Sequence, residues 1–248
     1  MRGGESGFSL TELAVVMAIV AILLASTMFT LSAQTEQRSR DETQRRLEEA
    51  RELLLGFAVV NGRLPCPGTT TGDEAGGAAA ACTSNYGGFL PARTIGFQPT
   101  DSSGFGLDGW GSRIRYTVSQ TTWGTGTFAR FTKRHDATTT TAAWSLTQTP
   151  GDLVVCSQSP AVAAATTCDA GTSVTNPSTV VAIVFSTGKN TATGGTGTNE
   201  ARNLDSNQLF VFRPPDPSSA AGGEFDDQIL WIPVGLLYGR MIAAGVLP

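Results

Sequence analysis

Three groups of residues have types and spacings that could do chemistry. The first is a lone acid. Between Phe8 and Leu31 the only charged residue is Glu12, and neither Pro nor Gly interrupts the run. A carboxylate in apolar surroundings is costly unless something neutralises it, so Glu12 needs a cationic partner or, near a helix start, the polar headgroups of a bilayer. The second group is the thiols Cys66, Cys82, Cys156 and Cys168, none of them in a C-x-x-C pair. With His135 the sole histidine, zinc would lack its usual ligands. In an oxidising compartment these cysteines form disulfides, with three connectivities open to them. Cys66–Cys82 and Cys156–Cys168 are favoured because each closes a loop-like stretch rich in small residues; buried free thiols are the other reading. The third group is Lys133-Arg-His-Asp136. A Ser-His-Asp or Cys-His site would require His135, but it borders a Thr-rich stretch and reads as a solvated turn. H-E-x-x-H, G-x-S-x-G and phosphate-loop patterns are absent. Gly188-Lys189 lacks the upstream glycine of a phosphate loop, and Gly124-Thr-Gly126 and Gly194-Gly-Thr-Gly197 read as turns. Chemistry is expected to be done to this chain rather than by it, so it is not read as an enzyme.

The elements that would position these residues differ sharply along the chain. Phe8 to Leu31 is 24 residues. As a helix rising about 1.5 Å per residue it would reach roughly 36 Å, enough to cross a bilayer core. A cleaved secretory signal fits poorly, because the apolar run is too long and Arg2 is offset by Glu5. From Gln34 to Glu52 the sequence turns polar, with opposite charges at i,i+4 in Asp41/Arg45, Glu42/Arg46 and Arg45/Glu49. Leu47, Ala50, Leu54, Phe57 and Ala58 make one apolar stripe. One continuous helix is predicted to about Val60, roughly 80 Å long, with Asn61-Gly62 as its stop and Gly56 a weak point.

Residues 61–248 are rich in Gly, Thr, Ser and Ala. Thr69–Thr71, Ala78–Ala81 and Thr138–Thr141 read as surface loops. Strands are predicted at Arg113–Val118, Thr127–Thr132, Asp152–Cys156, Val180–Ser186, Gln208–Arg213 and Gln228–Ile232, with a short helix at Val234–Ala244 stopped by Gly245. Several strands after one helix imply an α+β fold with an antiparallel sheet. Pro233, Gly235, Gly239 and Arg240 interrupt the C-terminal apolar stretch and argue against a second membrane span. The net charge of −4, the pI near 5.0 and the interleaved signs of the polar helix give no footprint for nucleic acid.

Gly7-Phe8-Ser-Leu-Thr-Glu12-Leu13 followed by an uninterrupted apolar helix resembles the N-terminal signal of type IV pilins and type II secretion pseudopilins. The resemblance covers residues 7 to about 31. It implies a leader at 1–7, removed by a prepilin peptidase after Gly7, and N-methylation of the new terminus at Phe8. It further implies a membrane-spanning half-helix at 8–31, an amphipathic half at 32–60 packed on the sheet, and a periplasmic β-rich domain at 61–248. Glu12 would pair with the terminal amine of a neighbouring subunit during filament assembly, through an inner-membrane platform. Its presence argues against the tip subclass that lacks this acid. The N terminus would face the cytoplasm. The implied role is a structural subunit in type II-like protein secretion. A minor type IV pilin in adhesion, motility or DNA uptake, or a membrane-anchored periplasmic enzyme, are the alternatives. A second resemblance lies at Asp108-Gly-Trp-Gly-Ser-Arg-Ile-Arg-Tyr116, similar to the D-x-W-G segment of major pseudopilins, and at Phe225-Asp-Asp-Gln-Ile-Leu-Trp231. It implies Asp226 and Asp227 as candidate Ca²⁺ ligands, against the plainer reading of a turn before a strand. Trp110 and Trp231 are expected in the core.

Overall fold

The computed structural model describes residues 9–77, 81–122, 130–133, 151–162, 165–191, 197–220 and 222–246, without the side chains of 24–33 and 130. His135, Thr127–129, Ala78–80, Thr138–141, Gly124–126 and Gly194–196 therefore lie outside the described residues, as do Gly7 and Phe8.

Helix α1 runs unbroken from Leu10 to Asn61. Ser9 caps it: its hydroxyl accepts the Glu12 amide, an orphan donor of the first turn, at 3.2 Å. Gly62 ends it at φ 65°, its amide donating to the Ala58 carbonyl. Gly56 does not interrupt the helix. Among the described residues no helix is long and apolar enough to cross a membrane. Of the expected i,i+4 pairs, Glu42–Arg46 forms at 2.7 Å. Arg45 instead reaches Glu42 one turn back, and Asp41 takes the Gln37 amide.

Strands β1 (Gly88–Phe89), β2 (Arg115–Val118), β4 (Val180–Ser186) and β6 (Gln228–Pro233) form an antiparallel sheet in the order β1-β2-β4-β6. All seven residues of β4 are buried, as befits a strand covered on both faces. Its register against β6 shifts between Val180 and Ala182. That bulge puts consecutive Val181 and Ala182 on the same face, after which the two-residue alternation resumes. Val181, Ala182 and Val184 meet the helices, while Val180, Ile183 and Phe185 face the opposite layer.

The helix layer is the C-terminal half of α1 with α4 (Val234–Ala243). Leu47, Ala50, Leu54 and Ala58 of the predicted stripe are fully buried against the sheet, and Phe57 is partly so. The four-stranded sheet is antiparallel, as the sequence implied, and the opposite layer adds a pairing of the other kind. Strands β3 (Val154–Cys156) and β5 (Leu209–Val211) pair in parallel as a separate two-stranded sheet. Val155 and Phe210 pack onto Phe185 and Ile183, while Cys156, Leu209 and Val211 face Phe225. The described end of the expected strand 127–132 is a short 3-10 turn, Arg130–Thr132. Two short helices were not foreseen, α2 (Ala92–Ile95) and α3 (Thr198–Asn203). The sequence offers neither enough turns nor an apolar stripe to mark them. Trp110 and Trp231 are half-buried rather than core residues; Trp231 packs edge-on against the partly exposed Phe212.

Candidate functional site

Two regions carry the residues singled out by sequence. The first is the start of α1. Glu12 sits in its first turn, where a negative charge complements the helix dipole. Around it Leu10, Leu13, Val16, Met17, Val20 and Leu23 are all substantially exposed, with Leu10 86% accessible. A stretch that exposes apolar side chains on every face needs an apolar environment of its own.

The D-x-W-G segment fixes the second half of α1 to the domain. The Thr43 hydroxyl accepts the Gly109 amide at 2.9 Å, and Arg46 donates to the carbonyls of Leu107 at 3.1 Å and Asp108 at 2.6 Å. Gly109 must lack a side chain, since a Cβ there would lie 2.3 Å from the Ser39 carbonyl oxygen of the helix. Asp108 is fully buried, and its Oδ1 accepts the amides of Trp110 and Ser112, each within 2.9 Å. Burial raises its pKa against the pull of those donors and of the Ser186 hydroxyl.

The second region is acidic. Asp226 and Asp227 lead into β6 and are 1% and 6% exposed, so they are not a surface turn. Folding brings them to Glu200 of α3, itself 1% exposed; one oxygen from each of the three lies within 4.8 Å of the others. Glu200 Oε1 accepts the Asp226 amide at 2.9 Å, and the Asn190 side chain donates to both Glu200 oxygens. Asp227 Oδ2 accepts from Asn203 Nδ2 at 2.6 Å, and Asp226 Oδ2 accepts the Lys189 amide at 2.9 Å. Asp226 Oδ1 has no hydrogen-bond partner. Gly188 lets this carboxylate in: at φ 61°, a Cβ on it would fall 2.0 Å from that same oxygen. Burial pushes Asp226 up to about 6 and Asp227 up to about 8, and the repulsion from Glu200 adds to both. Three hard oxygen donors, one of them unsatisfied, fit the calcium that the resemblance implies. Glu200 was missed because nothing in its neighbourhood marks it; it is 26 residues from Asp226 and lies on a helix of six residues.

The cysteines pair as Cys66–Cys82 and Cys156–Cys168. The first loop also holds Glu74, whose carboxylate accepts the Cys66 amide at 3.2 Å and forms a 2.7 Å ion pair with the buried Arg63.

Residues 2–28 match the prokaryotic N-terminal methylation motif, the signal of type IV pilins and pseudopilins. No curated protein and no solved structure significantly matches the chain. The motif supports a type IV pilin-like or pseudopilin subunit, processed by a prepilin peptidase and assembled with other pilin subunits.

Proposed function

We propose that this chain is a pseudopilin: a structural subunit cut between Gly7 and Phe8, methylated at Phe8, and polymerised into a periplasmic filament for type II-like protein secretion. The observation that carries this reading is the methylation motif at residues 2–28, continued by a helix whose apolar side chains from Leu10 to Leu23 stand exposed. Before assembly, residues 8–31 anchor the chain in the inner membrane, with the N terminus inside and the domain in the periplasm. Burying those side chains in lipid, or among copies of the same helix in a filament, removes them from water. The two disulfides suit an oxidising compartment. The docking of Thr43 and Arg46 onto the Asp108 loop supports a helix that carries its domain as a fixed unit. The role is mechanical and non-enzymatic: filament growth, powered elsewhere, moves exported cargo.

The test is the N-terminal residue of the protein from cells with and without prepilin peptidase. The expected mature chain begins at N-methylated Phe8 only when the peptidase is present. A chain that still begins at Met1 in its presence overturns the proposal.

A further inference from the structure

We propose that the cleft between the polar turn of α1 that follows the apolar run and the loop leading into β6 holds the headgroup of a phospholipid, one that carries a primary ammonium as well as its phosphate. The inference rests on the anchoring of residues 8–31 in the membrane. It uses none of Glu200, Asp226 and Asp227.

Position argues for it. The cleft has a volume of about 400 Å³, the size of a small-molecule site. Glu36 and Arg40 of α1 form one wall, and Lys189, Asp216 and Glu224 line the rest. Glu36 comes five residues after Leu31, the end of the apolar run. A helix rises about 7.5 Å over that distance, and the headgroup layer on each side of the hydrocarbon is about 5–8 Å deep. The α1 wall of the cleft therefore begins at the outer edge of the headgroups. The opposite wall is preset. Asp216 and Phe225 exchange backbone hydrogen bonds at 2.9 and 3.0 Å, closing the loop between them, and Pro215 and Pro217 fix its backbone beside the cleft. A wall held in this way loses little freedom when a ligand enters.

The charges argue for it too. Three carboxylates stand against Arg40 and Lys189, and Arg213, 2.5 Å from Asp216, makes the balance even. A ligand of one sign gains from one set of these groups what it loses to the other, whereas a ligand bearing both signs gains from each. Lys189 pairs with Glu224 at 2.9 Å and with Glu36 at 3.5 Å, and Arg40 pairs with Glu36 at 2.8 Å. These partners keep the charges in place: the Glu224 hydrogen bond raises the pKa of Lys189, and the Arg40 hydrogen bond lowers that of Glu36. The side chains of Lys189 and Glu36 are nevertheless 41% and 39% exposed, and ion pairs this wet contribute little, so they can exchange partners. A phosphate entering between Arg40 and Lys189 takes up their charge-assisted hydrogen bonds. The ammonium of the same headgroup, with three donors and no acceptor, takes the carboxylates they release.

The experiment uses the full chain reconstituted in vesicles of equal parts phosphatidylethanolamine, phosphatidylcholine and phosphatidylglycerol. The vesicles are floated, and the protein is released in mild detergent and weighed by native mass spectrometry. One phosphatidylethanolamine is expected to stay bound, about tenfold enriched over the other two lipids, because choline has no N–H to donate and glycerol no positive charge. Lys189→Gln and Glu224→Gln should each remove most of that preference and leave flotation unchanged; if Lys189→Gln does not fold, Arg40→Gln takes its place. Millimolar glycerophosphoethanolamine, the same headgroup without acyl chains, should displace the lipid. If this soluble compound binds but no lipid is retained, the lipid is not the occupant and the proposal fails. A chain that floats but holds the three lipids alike, or whose preference survives both variants, overturns the proposal and leaves the anchoring standing. A chain that floats with no vesicle overturns the anchoring, and the proposal with it.

Discussion

Asp108 and Ser186 lie 78 positions apart and meet inside the protein, where the Ser186 hydroxyl donates to Asp108 Oδ2 at 2.5 Å. Ser186 ends the central strand β4, and its hydroxyl also accepts the Gly188 amide at 3.1 Å. Asp108 therefore joins the sheet to the loop that grips α1. Asp108→Ala would leave the Ser186 hydroxyl and the amides of Trp110 and Ser112 short of an acceptor in the interior. Each such group costs about 1–3 kcal/mol, so a loss of about 3 kcal/mol or more is expected in urea unfolding. Asp108→Asn keeps an acceptor for the amides and turns a donor toward Ser186, and should lose less than half as much. Equal losses would show that the hydrogen bonds are not what Asp108 contributes.

The long helix and the central strand were legible because their signals are local and repeated. Leu47, Ala50, Leu54 and Ala58 recur with the helical period, and Val180–Ser186 is a β-branched and aromatic run with its bounds where the structure has them. The start of α1 was legible as a motif. What stayed hidden depends on contacts distant in sequence. The parallel pairing of β3 with β5 joins segments 55 residues apart at Val154 and Leu209, and no local pattern specifies direction. Glu200 becomes informative only beside Asp226. The D-x-W-G loop was visible as a segment, but its grip on Thr43 and Arg46 was not, because the helix residues it uses look like any solvated polar face.

The two disulfides should stabilise by similar amounts. They close loops with separations of 16 and 12 residues, each worth about 3 kcal/mol in the chain-entropy account. Replacing either pair by alanine should lower the unfolding free energy by about that much, measured with the other pair intact. The Cys66/Cys82 variant should lose somewhat more, since that loop also sets Glu74 against Arg63. Alkylation of the unreduced protein should leave its mass unchanged, and labelling of all four thiols would refute the pairing.

Acid should weaken the protein through Asp101. Its Oδ1 accepts the amides of Ser103 and Phe105, each at 2.9 Å, and its Oδ2 accepts from Arg113 Nε at 2.7 Å. Burial alone would raise its pKa, but these donors and the Arg113 charge outweigh that and lower it. A carboxyl with a depressed folded-state pKa contributes stability above its unfolded value, near 3.9, and loses it as pH falls through the folded value. Asp101→Asn should therefore cost about 2 kcal/mol at pH 7, given the worth of charge-assisted hydrogen bonds. The gap between variant and parent should close toward pH 2. A gap that stays constant from pH 7 to pH 2 would show that the charge contributes nothing.

Glu12 tests the assembly step separately from processing. Its carboxylate lies four residues after Phe8, in an otherwise uncharged apolar stretch. Cleavage after Gly7 would create an ammonium at Phe8 in the same apolar layer, and each charge alone is costly there. Pairing the amine of one subunit with Glu12 of its neighbour offsets part of both costs and fixes the axial stagger between helices. A polar contact between helices in lipid is worth about 1–2 kcal/mol, which corresponds to about a tenfold change in incorporation. Glu12→Ala should therefore be cleaved at Gly7 much like the parent chain but enter sheared filaments about tenfold less well. Glu12→Asp, which keeps the charge, should recover part of that loss. Cleavage is read from the mass of the membrane-bound protein, and incorporation from the filament fraction. Normal incorporation of Glu12→Ala would sink the pairing, and loss of cleavage would place Glu12 in peptidase recognition instead.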